Sequence, residues 1–530
     1  MPRAREEQRV LEPAVSAVSA WLGWDSESPA HLINISSNKM STRTPPSLQH
    51  LAIQSLLSNE ALAISALEDV PHLFPLLLRE VYTQSHTGVL KAMLQTWPFS
   101  CLPLSYVEES RDLETFKAVL DGLDLLLDKK ECPGRCKLQV LDLRKEHVDI
   151  WTWGFPSVAE ISYADILTDK PTESCGSLMT GELRLMILMD VVIKDGNQDA
   201  FQAYLLQWVR KRKERVLLCS RKLQILSGSI YKIQKALLAV HLGSIQELKV
   251  SKFWHRETMK KFAPYLGQMK NLHIFKFSKM SADFYKSRPQ NLRYSRKYAP
   301  HLGQLQYLQE FHVHDVFFLY GKLPAILRNR MPLKTLSLSS CPLKESDLRF
   351  LSRCPCTRQL QHLRLRSLCM DRFRPEPLRA LLRKVAGSLM TLALEDCAIT
   401  DAQLLTILPA LSQCSRLSFF SFWENRISMA TFKSLMSHLA RLGHLRLGLY
   451  PAPLECYRPQ TWGLESIDPE RFTQVQAGLA QALSEVRTQK AQICSQVCHR
   501  HKKCEFYSLT SNGSWVVTKE DFPGLFAPPV

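Results

Sequence analysis

The chain has 530 residues, 45% of them hydrophobic, 22% charged and 9% aromatic, with 20 Gly and 29 Pro; this globular composition excludes collagen-like and wholly disordered classes. Lys and Arg number 68 against 50 Asp and Glu, a formal net charge of +18. The excess is regional: residues 1–136 hold 12 cations against 17 acids, and residues 207–330 hold 25 against 6, so an acidic partner would be sought at the second stretch.

The first residues include Arg3, Arg5, Glu6, Glu7 and Arg9, and the apolar stretch Val15 to Trp24 alternates with Ser and Gly. That is too broken for a secretory signal, and residues 1–39 are read by default as a disordered leader. With no such signal, 15 cysteines, an odd number spread along the chain, read as reduced thiols. The expected location is therefore cytoplasmic, with the nucleus also open.

Residues 40–136 read as a helical N-terminal module. Ser47 precedes Leu48, Leu51, Ala52 and Leu56; Asn59-Glu60 precede Ala61, Leu62, Ile64 and Leu67; and Leu73 to Val81 is a third apolar run broken by Pro75. Ser47-Leu48-x-x-x-Ala52-x-x-x-Leu56 fits a relaxed elongin-binding box, with Ala52 where the box more often has Cys. Residues at i, i+4 and i+8 share one helical face, and a small middle residue lets the helix seat closely in an apolar groove. Phe74-Pro75-x-x-Leu78 fits a cullin-selecting box, and Val70-Pro71-x-x-Phe74 overlaps it at the same spacing. Amphipathic helices of this kind more often serve core packing, so the pattern by itself leaves both roles open.

Leu183 to Ile193 is apolar but interrupted by Arg184 and Asp190, too short to span a bilayer. Phe201, Leu205, Trp208 and Val209 form one helical face that runs into Arg210-Lys211-Arg212-Lys213. Those four cations read equally as a nuclear-localisation signal or as complements to the helix dipole.

From residue 245 a unit L-x-x-Φ-x-Φ recurs: Ile245 to Val250, Leu272 to Phe277, Leu308 to Val313, Leu333 to Leu338, Leu360 to Leu365, Leu389 to Leu394, Leu417 to Phe422 and Leu442 to Leu447, with outlying copies at Leu138 to Leu143 and Lys222 to Ile225. Spacings of 25 to 36 residues match a long leucine-rich repeat of one strand and one helix. The expected helices include Asp401 to Ser412 and Ser428 to Leu442. The fold class is therefore α/β, a leucine-rich-repeat solenoid over residues 137–470 following the helical module, with a C-terminal helix and irregular tail over 471–530.

Alternation along each strand turns the fourth and sixth residues inward. The expected outward, substrate-binding set is Lys249, Lys276, His312, His314, His362, Arg364, Arg366, Phe419, Trp423, His444 and Arg446, a basic surface with aromatic anchors suited to an acidic protein. Phe275-Lys276-Phe277, Phe284-Tyr285-Lys286 and Arg293 to Tyr298 interleave aromatics and cations as single-strand nucleic-acid binders do, but Phe275 and Phe277 fall at inward positions, so nucleic acid is disfavoured. Cys494, Cys498, His499, His501 and Cys504 have metal-ligand types without a second spaced pair, so no metal ligands are assigned. No phosphate loop, H-E-x-x-H or nucleophile-elbow motif is present, so no catalytic residue and no cofactor are expected.

The strings Leu90 to Leu104, Glu114 to Asp124, Lys137 to Arg144 and Tyr450 to Tyr457 resemble the PRAME family of leucine-rich-repeat proteins, from about Met40 to Tyr507. The resemblance implies a ribonuclease-inhibitor-like horseshoe behind a helical module. It also implies a non-enzymatic substrate receptor of a cullin-2 RING ubiquitin ligase docked through elongins B and C, promoting proteasomal degradation. The family boxes carry over onto Ser47, Leu48, Ala52 and Leu56, and onto Phe74, Pro75 and Leu78. The alternative is a scaffold or corepressor that binds acidic regulators without a ligase, affecting transcription, differentiation, proliferation or apoptosis.

Overall fold

A computed structural model describes residues 48–67, 69, 73–104, 112–128, 136–144, 185–197, 199–280, 296–327, 332–458, 467–486, 490–494, 504–510 and 512–520. The chain divides into two compact units, with the described residues up to Gln246 in one and those from Glu247 onward in the other. It is a mixed α/β protein of helices and parallel sheets.

The first unit opens with helices α1 (Leu48–Leu57), α2 (Glu60–Ala66), α3 (Phe74–Thr83) and α4 (Thr87–Gln95). Asn59 caps α2 by accepting the Leu62 N–H at 3.2 Å, and Pro75 occupies the first turn of α3, where its missing N–H costs nothing. Strand β1 (Cys101–Pro103) leads to α5 (Leu113–Asp128). Helices α4 and α5 approach closely at Gly122, where an added Cβ would sit 2.7 Å from a Leu94 methyl.

Then follow β2 (Val140–Asp142), β3 (Leu185–Leu188), β4 (Val191–Lys194), α6 (Ala200–Arg210), β5 (Val216–Cys219), β6 (Lys222–Leu226), α7 (Ile230–Leu237) and β7 (Val240–His241). Strands β1, β2, β3, β5 and β7 pair in parallel in that order, and β4 pairs in parallel with β6. Asp124 of α5 accepts the Trp208 indole N–H at 3.1 Å and pairs with Arg212, whose guanidinium lies 4.4 Å from the Trp208 ring. Arg215 meets Asp128 at 3.0 Å. The Arg210 to Lys213 cluster thus spends Arg212 on the helical module, which leaves Lys211 and Lys213 as its exposed cations.

The second unit alternates strand and helix: β8 (Glu247–Val250), α8 (Arg256–Leu266), β9 (Ile274–Ser278), β10 (Glu310–His314), α9 (Leu323–Ile326), β11 (Thr335–Ser339), α10 (Glu345–Arg353), β12 (His362–Arg366), α11 (Glu376–Val385), β13 (Thr391–Glu395), α12 (Asp401–Leu411), β14 (Phe419–Ser421), α13 (Met429–Leu439), β15 (Leu447–Pro451), α14 (Pro469–Ser484) and β16 (Lys490–Cys494). Strands β8 to β16 are parallel neighbours in sequence order. The expected inward positions form two buried columns, Leu248, Phe275, Phe311, Leu336, Leu363, Leu392 and Phe420 beside Val250, Phe277, Val313, Leu338, Leu365 and Leu394. Thr400 and Ser428 cap α12 and α13 as the hydroxyl-then-helix pattern predicts.

Each repeat also ends in a turn that spacing does not reveal. Lys279, Asp315, Ser340, Ser367, Asp396 and Glu424, none of them glycine, take positive φ of 49° to 66° just past their strands. The first five donate their N–H to a carbonyl at or just past the next strand's end, for example Ser340 to the Arg366 carbonyl at 2.9 Å. This extra rung offsets a left-handed conformation that costs roughly 1–2 kcal/mol per residue. One residue farther on, Cys341, Cys397 and Asn425 donate to carbonyls of the preceding repeat at 3.9, 3.2 and 2.7 Å. Burial pushes the Cys341 thiol up to about 12, so these cysteines act as small core donors.

Two expectations change. Leu442 to Leu447 is displaced by three residues from the true repeat, because Gly448 pairs with Phe420 and Tyr450 is the next inward residue. The Tyr450 hydroxyl lies 2.1 Å from where a Gly448 Cβ would stand, so a folded-back tyrosine fills the place of a leucine and breaks the apolar pattern. The 471–530 segment, expected as a helix and irregular tail, carries β16 and an antiparallel pair, β17 (Cys504–Leu509) and β18 (Trp515–Glu520). Gly513, at φ +79°, sits in the connecting turn.

Candidate functional site

The residues singled out from the sequence fall on two surfaces, one in each unit. In the first, α1 turns Ile53 and Leu57 into the core and leaves Ala52 exposed and Leu56 half-buried. The residues of the expected elongin box that are described therefore lie off the buried side of the helix. Ser47 and the side chain of Leu48 lie outside the described residues. In α2 the buried residue is Ala63, followed by Leu67 just past the helix end, not Leu62 and Ile64. Leu51, Leu62, Ile64 and Leu76 are 39 to 54% exposed, an unusual loading of large apolar side chains for three short helices. His50 and Glu80 link α1 to α3 at 3.5 Å.

The residues of the expected cullin-selecting box sit differently. Phe74, Pro75 and Leu78 are all buried, with the Phe74 ring edge-on to Trp97 at 5.6 Å. They shape the module from within, and α3 shows Leu76 and Arg79 to solvent instead. Counting a Pro-containing pattern does not distinguish these faces, whereas the pairing of Leu77 with Leu78 against Val81 and Tyr82 at helical spacing would have.

In the second unit the outward strand positions Lys249, Lys276, His312, His314, His362, Arg364 and Arg366 are half-buried, and their register brings Lys249, Lys276, His312 and Arg364 into one row across β8 to β12. The face is not the bare basic surface that their spacing implied. Glu247, Glu310 and Glu395 stand on the same side: Lys276 meets Glu247 at 3.0 Å, His312 meets Glu310 at 3.1 Å, and Arg364 and Arg366 reach Glu395 at 3.2 and 4.0 Å. Burial alone would push the Glu395 carboxyl up. The Arg364 and Arg366 guanidiniums and the Ser421 hydroxyl, 2.8 Å away, outweigh that and hold it below the usual carboxylate value. Burial also pushes His314 and His362 down to about 4, so neither adds charge at neutral pH.

Phe419 and Trp423 are buried, not exposed anchors. With Ala393, Leu449, Cys494 and Phe506 they form an apolar cluster on the outward side of β13 to β17, and Arg366 lies 5.2 Å from the Trp423 ring. His444 and Arg446 are exposed in the turn before β15; the three-residue displacement gives the outward places of that strand to Leu447 and Leu449. The acids that complete the face were missed because only cations and aromatics were gathered from the outward positions, although Glu247, Glu310 and Glu395 share the same alternation.

Of the nucleic-acid candidates, Phe275, Phe277 and Tyr298 are buried, and Phe284, Tyr285, Lys286, Arg293 and Tyr294 lie outside the described residues. So do Cys498, His499 and His501; among the described residues no group of three or more His, Cys, Asp and Glu is arranged to hold a metal, and no described helix is long and apolar enough to cross a membrane.

Comparison with known proteins also finds two parts, with a boundary that falls earlier in the chain than the one between the compact units. The model of the PRAME C-terminal domain matches residues 185–514 and that of the PRAME N-terminal domain matches residues 45–151. PRAME family member 12 of Homo sapiens is 42% identical over 463 residues, covering 86% of this chain and 94% of that protein. PRAME family member 8 of Homo sapiens is 40% identical over 469 residues, covering 87% of this chain and 97% of that protein.

Proposed function

The chain belongs to the PRAME family, and from that premise we propose that it is a non-catalytic substrate-recognition subunit of a cullin-2 RING ubiquitin ligase. In this reading α1 docks elongin C, the strand–helix repeats wind as a leucine-rich horseshoe, and the outward strand face holds a protein destined for the proteasome. The observation that carries it is the apolar surface left by the N-terminal helices, where Leu51, Leu62, Ile64 and Leu76 stay exposed beside a well-packed core. Apolar side chains left exposed on helices suit a groove on a partner. A receptor needs no catalytic group, since holding a substrate beside a recruited conjugating enzyme raises its effective concentration.

The paired charges of the strand face favour a substrate read by directed hydrogen bonds over one drawn by net charge, because each of Lys276, Arg364 and Arg366 already has a carboxylate partner. The test is the double variant Leu48→Asp with Leu56→Asp. It should lose co-purifying elongin C while the thermal unfolding midpoint stays unchanged. Elongin binding that survives both substitutions removes the ligase assignment and leaves the scaffold alternative.

A further inference from the structure

The turn from α10 to β12 reads Arg353-Cys354-Pro355-Cys356-Thr357, and it brings two thiols to a sulfur–sulfur distance of 2.6 Å. A disulfide bond is about 2.05 Å long, so the two sulfurs stand within a fraction of an ångström of bonding.

The turn is gripped from both sides. Within it, the Cys354 N–H donates to the Phe350 carbonyl at 2.8 Å, and the Thr357 hydroxyl donates to the Leu351 and Cys354 carbonyls at 2.9 Å. From the start of the same repeat, the Leu333 N–H donates to the Cys356 carbonyl at 2.7 Å, and in the preceding repeat the Leu327 carbonyl accepts from the Cys354 thiol at 3.9 Å. From the following one, the Lys384 ammonium donates to the Cys354 carbonyl and, at 3.4 Å, to that of Ser352. Pro355 fixes one more backbone angle between the cysteines, so they cannot separate without breaking contacts to both neighbouring repeats.

We propose that Cys354 and Cys356 are a redox modification site, a dithiol that closes to a reversible disulfide on exposure to hydrogen peroxide. The Cys354 thiolate attacks one peroxide oxygen; an S–O bond forms, the O–O bond breaks, and the departing hydroxide becomes water with the proton Cys354 gave up. The Cys356 sulfur then attacks the sulfenic sulfur, forming the S–S bond and expelling hydroxide, which leaves as water with the Cys356 proton. Two thiols are oxidised by two electrons and one peroxide is reduced to two waters.

The assignment of roles follows the surroundings. Cys354 keeps 8% of its surface exposed against 3% for Cys356. The hydrogen bond from the Cys356 thiol, with Lys384 adding to it, holds the Cys354 thiol below its ordinary value, while that contact and burial push Cys356 up. Buried Cys414, whose thiol is pushed up to about 12 by desolvation, has no such partner thiol among the described cysteines.

Trypsin releases the pair in one short peptide, Cys354–Arg358, which makes the test direct. The full-length chain is titrated with hydrogen peroxide, denatured, alkylated with iodoacetamide and digested. The peptide should appear unalkylated, two hydrogens lighter and restored by dithiothreitol, at about tenfold less peroxide than modifies Cys369, the exposed thiol among the described cysteines. A Cys354–Arg358 peptide that stays doubly alkylated where Cys369 is half oxidised overturns the proposal, as does its conversion to sulfinic acid without a disulfide stage. Cys356→Ser should stall at a Cys354 sulfenic acid trapped by dimedone. Lys384→Met should slow closure several-fold without preventing it, and both variants are read against the wild-type titration, which depends on neither of them folding.

Discussion

Arg364 donates to Glu395 across 3.2 Å between β12 and β13, and Glu395 is wholly withdrawn from solvent. Arg366 and Ser421 complete its surroundings. Removing one partner of a buried pair strands the other, at a cost of about 3–5 kcal/mol. Glu395→Ala should therefore lower unfolding free energy by roughly 3 kcal/mol in urea titrations. Arg364→Met combined with Glu395→Met should recover a large part of that loss, because no unpaired buried charge remains at the site of the closer contact.

Asn425 supports the end of β14 from a fully buried position. Its amide donates to the Leu394 and Phe422 carbonyls at 2.7 and 2.9 Å and accepts the N–H groups of Cys397 and Ile399, both at 3.2 Å. Asn425→Ala leaves several of these groups unsatisfied and should cost about 2–4 kcal/mol. Asn425→Cys should cost less, since Cys341 and Cys397 hold the equivalent place in their repeats, and chemical denaturation of the two variants distinguishes the outcomes.

His314 and His362 are both pushed down to about 4 by burial. His314 faces Asp315, Arg366, Lys279 and Arg364, and His362 faces Glu310 and His312. An unfolded histidine titrates near 6.5 (about that value in peptides). The folded value lies below the unfolded one, so the unfolded chain binds more protons as the pH drops from about 6.5 towards 4, and stability falls across that window. Unfolding midpoints should be level near neutrality and decline below it, and His314→Gln with His362→Gln should flatten the decline.

Leu76 and Leu77 are neighbours in α3 with opposite fates, one exposed and one buried. Leu77→Asp buries an unpaired carboxylate and should prevent cooperative folding of the first unit. Leu76→Asp should change stability by no more than about 0.5 kcal/mol. Circular dichroism melts of the two variants test this assignment of faces, and equal destabilisation by both would refute it.

Gly448 has its side-chain space taken by the Tyr450 ring, whose nearest atoms lie 2.1 to 2.7 Å from an added Cβ. Gly448→Ala should cost about 1–3 kcal/mol by overpacking. Tyr450→Ala alone leaves a cavity, yet in the Gly448→Ala background its further cost should be smaller, so a double-mutant cycle should show coupling of the two sites.

Much of the second unit was legible from spacing alone. A strand that must bury the same two positions in every repeat writes its period into the leucines, and Leu336, Leu363 and Leu392 are all found where that period places them. Caps such as Thr400 and Ser428 were legible for the same reason, since they act within one turn of chain. The Gly448–Tyr450 exchange hid the last repeat, because two residues there share the work of one leucine.

What the sequence determined was therefore whatever depends on nearest neighbours along the chain: the inward columns, the helix starts and the family resemblance. Which sides of the N-terminal helices stay wet, how Glu247, Glu310 and Glu395 neutralise the cations beside them, and how Cys354 meets Cys356 inside a turn held by Leu333 and Lys384 were decided only by the tertiary structure. Burial and charge pairing are set by groups about one repeat away, and no local pattern records them.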